Sequence, residues 1–216
     1  MSGSRFLEVA PGRVTGWVDR YVAARDGRVV ARAVADGLLL VPDEGGQAHL
    51  RLLRPEGWSS AADPVDPSVV SAHLAAHAAA SVPLLVVAAR RGGYGVAVVR
   101  DGRVLAGKVG RRYVQGTTAA GGWSQQRFAR RRGNQTDKLA RDAGAVLRQV
   151  LGAALPVGPV AVAVAGDRAL VEGVLDGSPA AALPRLGPLE VGEPRRADLD
   201  ELAERVLAVR VTVHDA

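Results

Sequence analysis

The sequence predicts an α/β (α+β) protein, with a mixed sheet that contains a β-meander and carries flanking helices, preceded by a small N-terminal α+β subdomain. Apolar runs separated by Asp101-Gly102 indicate a meander, because both central residues of such a tight turn need positive φ. Apolar residues recur at helical spacing over 139–151, which indicates a long amphipathic helix. Residues 160–175 then have the pattern of a strand followed by a helix.

The N-terminal third begins with a predicted helix. Pro11 suits a first helical position, and a helix ending near Gly27 places four apolar residues on one face. These residues are Val14, Trp17, Val18 and Tyr21. Three short strands are predicted next at 28–34, 37–41 and 48–53, and a helix at 68–80.

The best linker candidate is the segment 55–67, which combines Pro55, Gly57, Pro64 and Pro67 with small residues. We therefore expect a boundary there or just after the helix that follows. This divides the chain into an N-terminal accessory subdomain, residues 1–80, and a second domain, residues 81–216.

The second domain is predicted in more detail. Its meander consists of strands at 84–89, 94–99 and 103–110. The glycine-rich segment 116–122 is predicted to be a mobile loop, and Ser124 is expected to cap the long helix. A strand at 160–165, a helix at 169–175, mostly loop over 179–194, a helix at 198–207 and a strand at 208–213 complete the order.

Composition excludes several kinds of site. The 216 residues include no cysteine, which rules out disulfides, thiolate zinc sites and cysteine nucleophiles within this sequence and suits a reducing, cytoplasmic compartment. Residues 1–10 lack the apolar run of a signal peptide, and no window approaches the ~20 apolar residues of a membrane span. We expect a cytoplasmic protein with no membrane partner.

Positive charge is concentrated in one segment. Residues 108–141 hold nine basic residues against one acid, a net charge of +8, while the remaining 19 basic and 21 acidic residues give −2. Local basic patches of this kind most often bind phosphates. The residues expected to bind RNA are Lys108, Arg111, Arg112, Trp123, Arg127, Arg130, Arg131, Arg132 and Lys138.

The most specific motif lies inside this basic segment and reads Gly121-Gly122-Trp123-Ser124-Gln125. It resembles the Gly-Gly-Gln loop of the middle domain of archaeal and eukaryotic class I release factors. It resembles more closely the loop of the Vms-like release factor (VLRF) family, of bacterial type. The resemblance covers residues 82–216 and includes a meander before the loop and an arginine-rich helix after it. One extra residue separates the glycines from the glutamine, so Gln125 is the favoured match and Gln126 its rival.

This resemblance implies a release-factor middle-domain (RNase H-like) architecture and a glycine-rich glutamine loop at 115–127. It also implies a ribosome-dependent peptidyl-tRNA hydrolase that frees nascent chains from stalled large subunits, in ribosome rescue. Gly121, Gly122 and Gln125 would then be the catalytic set. A glutamine amide does not titrate near neutrality, so it orients water and donates hydrogen bonds instead of acting as a base.

Three alternatives stay open. The segment 116–122 can be a plain connection, with Gln125 and Gln126 as solvated first-turn residues. The protein can be a non-catalytic RNA- or ribosome-binding module that depends on its basic helix. It can also cut the tRNA near its 3′ end, with Tyr113 or an arginine acting on the 2′-hydroxyl. Trp123 is expected either to stack on a base or to pack against the helix.

No cofactor or metal is expected. His73 and His77 are four residues apart on a predicted helix, a zinc-compatible spacing, but no third ligand is evident. The sequence also lacks a Walker A lysine, a GxGxxG turn and a G-x-S-x-G elbow. Phosphoryl transfer and serine hydrolysis are therefore disfavoured, and the oligomeric state stays open.

Overall fold

The computed structural model describes residues 3–59, 66–111, 123–154 and 157–214, with the backbone alone for 123–132. These residues form ten strands and five α-helices. In chain order they are β1 Ser4–Val9, α1 Val14–Ala23, β2 Val29–Val34, β3 Gly37–Pro42, β4 Ala48–Arg51, α2 Pro67–Ala78, β5 Leu84–Arg90, β6 Gly93–Arg100, β7 Arg103–Arg111, α3 Trp123–Ala153, β8 Ala161–Gly166, α4 Arg168–Leu175, β9 Arg185–Leu189, α5 Arg196–Arg205 and β10 Val209–His214.

The chain divides into two compact units. The first consists of Met1–Ser81 with Glu204–Ala216, and the second of Val82–Ala203. In the described part of the chain, no helix combines the length and the apolar character needed to cross a bilayer.

The first unit is built on a five-stranded antiparallel sheet in the order β1-β10-β4-β3-β2. Alternate residues of its strands form one core with α1 and α2, as expected for period-2 strands against amphipathic helices. Fully buried members include Leu38, Leu40, Leu50 and Leu74. The Asp66 side chain caps α2 by accepting from the Ser68 and Val69 amides at 2.8 and 3.2 Å.

The second unit is built on a mixed sheet in the order β7-β6-β5-β8-β9. β5, β6 and β7 form the antiparallel meander, whereas β5 with β8 and β8 with β9 are parallel pairs. Helices α3 and α4 share a core with one face of this sheet. The other face carries small residues that allow α5 to approach: a Cβ at Gly95 would lie 3.0 Å from the Leu199 side chain.

The predicted fold class is confirmed, and the predicted meander, long helix and strand–helix pair are all present. Two strands were not predicted. β1 was missed because its Phe6 is exposed and its pairing partner lies some 200 residues away, and β9 because Gly187-Pro188 interrupts the pattern and Pro rarely lies within a strand.

The final strand was expected in the second domain, but β10 instead lies in the first sheet, between β1 and β4. Its alternating Val209, Val211 and Val213 complete the core of the first unit. The division into domains of 1–80 and 81–216 remains a prediction. The predicted mobile loop at 116–122 lies outside the described residues.

Arg185, the first residue of β9, links β9 to α4 and to the segment between them. Its Nη2 lies 2.9 Å from a Glu172 carboxylate oxygen, and the guanidinium also donates to the carbonyls of Ala180, Ala181 and Leu183. Hydrogen bonds from Arg185 hold the pKa of Glu172 below its usual range. This ion pair therefore stabilises the fold only while Glu172 is ionised.

We expect Glu172→Gln to lower the free energy of unfolding by about 0.5–1 kcal/mol at neutral pH, a modest value because Glu172 is 41% exposed and solvent screens the pair. A lowered pKa makes this contribution present above the unfolded pKa of ~4.3 and lost as pH falls through the lower folded value. Urea unfolding at several pH values should show the difference from wild type shrinking below pH ~4. Glu44→Gln, at an exposed glutamate, is the control; a difference independent of pH would contradict this account.

Candidate nucleic-acid interface

Three strands of the second sheet, β5, β7 and β8, terminate at the same end of the sheet, and we call this row of strand ends the basic edge. Arg90 at the end of β5 lies opposite Gly93, and Gly93 lies opposite Arg111 at the end of β7. β8 ends beside them, with Gly166 opposite Ala89. Since Arg90 and Arg111 are exposed, this edge carries positive charge. In sequence, the segment that contains the glycines of the motif follows directly after Arg111.

The segment after β9 partly offsets that charge on the β5 side. Arg90 Nε donates to the Val191 carbonyl at 3.0 Å, and its Nη2 lies 3.6 Å from the Glu190 carboxylate. The Glu193 side chain lies over Gly92, where a Cβ would be 2.9 Å from its carboxyl carbon. Acidic side chains of the segment after β9 therefore lie beside the hairpin between β5 and β6.

On the β7 side, the ring of Tyr94 covers Gly110, the second-last residue of the strand. A Cβ at Gly110 would lie 2.4 Å from Cζ of Tyr94, which is itself buried. Only glycine fits under this ring, because any side chain would displace the tyrosine from the core. Tyr94 and Gly110 therefore fix the end of β7, from which the motif-bearing segment departs.

Helix α3 is longer than its described core contacts require. Its 31 residues span about 46 Å at 1.5 Å per residue, yet Leu139 is the first of its described side chains to be buried. The preceding stretch Trp123–Lys138 has a net charge of +4, from five basic residues and Asp137. Leu139, Ala143, Leu147 and Val150 then attach the second half to the core.

Exposed cations lie on both elements that flank the motif. They are Lys108 and Arg111 on β7, and Lys138, Arg141 and Arg148 on α3. Lys108 Nζ donates to Oε1 of Gln149 at 3.3 Å, which connects the edge strand to the helix. Each of the two elements thus carries exposed positive charge suited to phosphates.

A family model described as the Actinobacteria/Chloroflexi VLRF1 release factor matches residues 82–212. The chain belongs to this release-factor family. The match begins where the second unit begins and continues into β10 of the first sheet. No curated protein matches the chain. The predicted resemblance to a bacterial VLRF-type family is thereby confirmed.

All the predicted site residues lie within the range matched by the VLRF1 family. Seven of them belong to the N-terminal turns of α3 by their backbone: Trp123, Gln125, Gln126, Arg127, Arg130, Arg131 and Arg132. Arg112, Gly121 and Gly122 lie outside the described residues, as does Tyr113. The roles of these residues in a VLRF1 release factor stay predictions.

Helix α3 begins earlier than expected. A loop was predicted over 115–127 with Ser124 as the helix cap, but Trp123 is already helical, so Ser124 lies inside the first turn. Gln125 and Gln126 are therefore helical residues near the N-terminus of α3. The strong helix formers of 125–132, chiefly Gln, Ala and Arg, favour this earlier start.

Two contacts of this VLRF1 region were not predicted, namely Tyr94 over Gly110 and Lys108 with Gln149. A glycine within an edge strand was the one available signal for the contact between Tyr94 and Gly110.

His77 is one of the two histidines whose spacing is compatible with zinc. It hydrogen-bonds the Arg54 carbonyl at 3.1 Å and packs edge-on against Trp58. Among the described residues, no three His, Asp or Glu side chains are grouped closely enough to hold a metal.

We expect Gly133→Ala to stabilise α3 by about 0.5–1 kcal/mol, because glycine is a poor helix former and an added Cβ meets no described atom within 4 Å. Gly144→Ala is the matched control in the same helix. There the Cβ would lie 3.3 Å from the Val174 carbonyl oxygen of α4, so packing opposes the gain in helix propensity. Thermal unfolding followed at 222 nm should rank Gly133→Ala above wild type and Gly144→Ala below Gly133→Ala. Equal effects would contradict the packing argument.

Proposed function

We propose that this release-factor family member hydrolyses peptidyl-tRNA on the large ribosomal subunit and so frees nascent chains from stalled ribosomes. Gly121 and Gly122 would bring the backbone close to the ester, and Gln125 would act on it, with Gln126 as the rival. The observation that carries this proposal is the family match over 82–212, a range that holds the Gly-Gly-Trp-Ser-Gln motif between the basic edge and α3.

The position of the motif supports the proposal. In sequence, residues 112–120 separate the motif from the end of β7, and its Trp123 begins a helix whose second half is anchored in the core. A motif that includes the start of a long, core-anchored helix can be presented to a distant reaction centre with little loss of orientation. The exposed cations of β7 and α3 lie where rRNA or tRNA phosphates would flank such a motif.

Ester hydrolysis sets the task of the glutamine. A water oxygen adds to the ester carbonyl carbon, the bond from that carbon to the tRNA 3′ oxygen breaks, and the 3′ oxygen takes up a proton. A glutamine amide can hold the water with its carbonyl or donate to the developing oxyanion with its NH₂ group. It supplies no acid or base, so proton transfer would depend on the tRNA or on ribosomal RNA. We therefore expect the protein to be almost inactive on free substrate.

The basic elements would hold the RNA. Lys108 and Arg111 on β7, with Arg130–Arg132 and Lys138 on α3, would contact phosphates on either side of the motif. Trp123 at the first helical position would stack on a base of the tRNA end. Phosphate contacts position a protein without reading sequence, which suits a factor that acts on any stalled peptidyl-tRNA.

Each rival function predicts a different result. A non-catalytic ribosome-binding module would tolerate loss of Gln125 and depend only on the arginines of α3. A tRNA endonuclease would leave the peptide attached to a 3′ tRNA fragment and yield a shortened tRNA. In sequence, no histidine lies between His77 and His214, so none adjoins the motif to act as the base of a 2′-hydroxyl cleavage, which favours hydrolysis.

Ribosome dependence is the first test. Wild-type protein is incubated with labelled peptidyl-tRNA, either free or bound to purified large subunits, and peptide release is followed over time. We expect release from the bound substrate and almost none from the free one. Equal rates on both would indicate a self-sufficient hydrolase and contradict the assigned role of ribosomal RNA.

A further inference from the structure

One face of the first sheet takes no part in its core. We name it the open sheet face and define it by Phe6, Arg32, His49, Arg51, Arg210 and Thr212. The alternate set of residues on the same strands, such as Leu40, Leu50 and Val211, packs with α1 and α2. Phe6 is 60% exposed, and Arg32 and Arg51 are also exposed. An exposed aromatic ring that shares a sheet face with exposed arginines is unusual on a sheet that serves only its own core.

The strand register arranges these side chains in a row. The row crosses all five strands, and each of its residues lies opposite the next one: Phe6, Thr212, His49, Leu39 and Arg32. At about 4.8 Å between neighbouring strands, the row extends over ~19 Å. It places an exposed ring at one end, an exposed guanidinium at the other, and the Thr212 hydroxyl and His49 imidazole between them. The His49 ring also hydrogen-bonds Asp36 at 3.0 Å.

The next row concentrates positive charge. Arg210 lies opposite Glu8 on one side and Arg51 on the other. Arg205 donates to both carboxylate oxygens of Glu8, at 2.7 and 3.2 Å. Arg51 and Arg205 both lie close enough to Arg210 to act on it electrostatically, so guanidinium groups are concentrated in this row. Like charges on opposite residues of neighbouring strands destabilise a sheet, so a bound anion would offset this cost.

The environment of Arg210 agrees with that conclusion. Burial lowers its pKa, and the neighbouring Arg205 and Arg51 act in the same direction, while Glu8 opposes them. A phosphate that approached Arg210 would favour its charged form.

We propose that the open sheet face binds single-stranded RNA. Phe6 stacks on a base, Arg51 and Arg210 contact a phosphate, and Arg32 contacts a second phosphate at the far end of the row. A ring can stack on any unpaired base, whereas bases inside a duplex offer no free π-face. The exposed ring also favours RNA over an acidic peptide, which would satisfy the arginines and leave Phe6 unused.

The test uses the full chain with Arg130, Arg131 and Arg132 all replaced by glutamine, so that α3 contributes little to binding. The probe is a fluorescein-labelled oligouridine, measured by fluorescence anisotropy at several salt concentrations. In this background we expect Phe6→Ala to weaken binding by about 5-fold or more, the value of one stacked base. Arg51→Glu should weaken it by ~10-fold and reduce the salt slope by about 0.7, as for one lost phosphate contact to a single strand.

Phe6→Trp and Arg20→Glu are the matched variants. Phe6→Trp keeps an aromatic ring and should bind at least as tightly as the background protein. Arg20→Glu makes the same charge change at an exposed position of α1 and should leave binding unchanged. Thermal unfolding checks that all variants remain folded.

Three results would overturn the proposal. The first is unchanged binding in Phe6→Ala and Arg51→Glu. The second is equal affinity for single-stranded and duplex RNA, which would leave no place for stacking. The third is a labelled glutamate-rich peptide that binds as tightly as oligouridine and is weakened equally by Phe6→Ala, which would make this face a protein-binding surface. None of these results depends on peptide release, so they leave the proposed hydrolase function untouched.

Discussion

Replacement of Gln125 by alanine is expected to reduce the rate of nascent-chain release by about 10²–10³-fold, the usual cost of one lost donor to a developing oxyanion. Binding to the large subunit should stay within a factor of about two, because the amide contributes to the transition state and not to ground-state binding. Single-turnover release and co-sedimentation, measured on the same preparations, separate the two effects.

Gln126→Ala is the control for this substitution. The two glutamines are neighbours near the start of α3, and consecutive helical residues point about 100° apart, so only one of them can face a given substrate. We expect Gln126→Ala to retain most of the activity. If Gln126→Ala abolished release and Gln125→Ala did not, the two assignments would exchange. If neither variant lost activity, the glutamine mechanism would be wrong.

Reversal of charge at Arg130, Arg131 and Arg132, each to glutamate, is expected to weaken binding to ribosomes by two orders of magnitude or more at low salt. Each lost phosphate contact removes roughly 0.7–0.9 from the slope of log affinity against log salt, so the slope should fall by about 2–3. Sedimentation binding at several salt concentrations measures both quantities.

A matched triple variant separates local from overall charge. Arg13, Arg20 and Arg28 are exposed residues of the first unit, and their replacement by glutamate changes the net charge by the same amount. We expect this variant to bind ribosomes with nearly unchanged salt slope. Equal losses in the two variants would mean that overall charge governs binding and that α3 has no special part.

The elements of the second unit that the sequence predicted well are those with local signals. The Asp101-Gly102 turn marks the hairpin of β6 and β7, and Asp101 indeed adopts a φ of 53° there. The apolar spacing of α3 continues over more than three turns, so Leu139, Ala143 and Leu147 are buried as their periodicity predicts. Such patterns depend on neighbours in sequence and need no knowledge of the rest of the fold.

The errors fall where pairing is non-local. β10 alternates valine with polar residues and is an evident strand, but nothing in that pattern tells which sheet it joins. The register with β1 and β4 depends on residues far away in the sequence, and it places this strand in the first unit. β9 buries only Leu186 and Leu189, too few apolar residues to distinguish it from a loop.

For the candidate site, the sequence supplied the chemistry and the structure supplied its surroundings. The glycines, the glutamine and the arginine run are recognised as types of residue at a spacing, which a single sequence displays. The cover of Tyr94 over Gly110 and the bond from Lys108 to Gln149 join residues that are 16 and 41 positions apart. These contacts arise from the sheet register and from the packing of α3, so they became visible only in the folded chain.

Ester hydrolysis by the Gly-Gly-Trp-Ser-Gln motif can be distinguished from tRNA cleavage by analysing both products of a single reaction. Purified large subunits that carry a peptidyl-tRNA labelled in the peptide and in the tRNA are incubated with wild-type protein, and the tRNA is sized at nucleotide resolution. We expect a free peptide together with a full-length tRNA that ends in an intact 3′ hydroxyl and can be aminoacylated again. A tRNA shortened at its 3′ end, with the missing nucleotides still attached to the peptide, would contradict it.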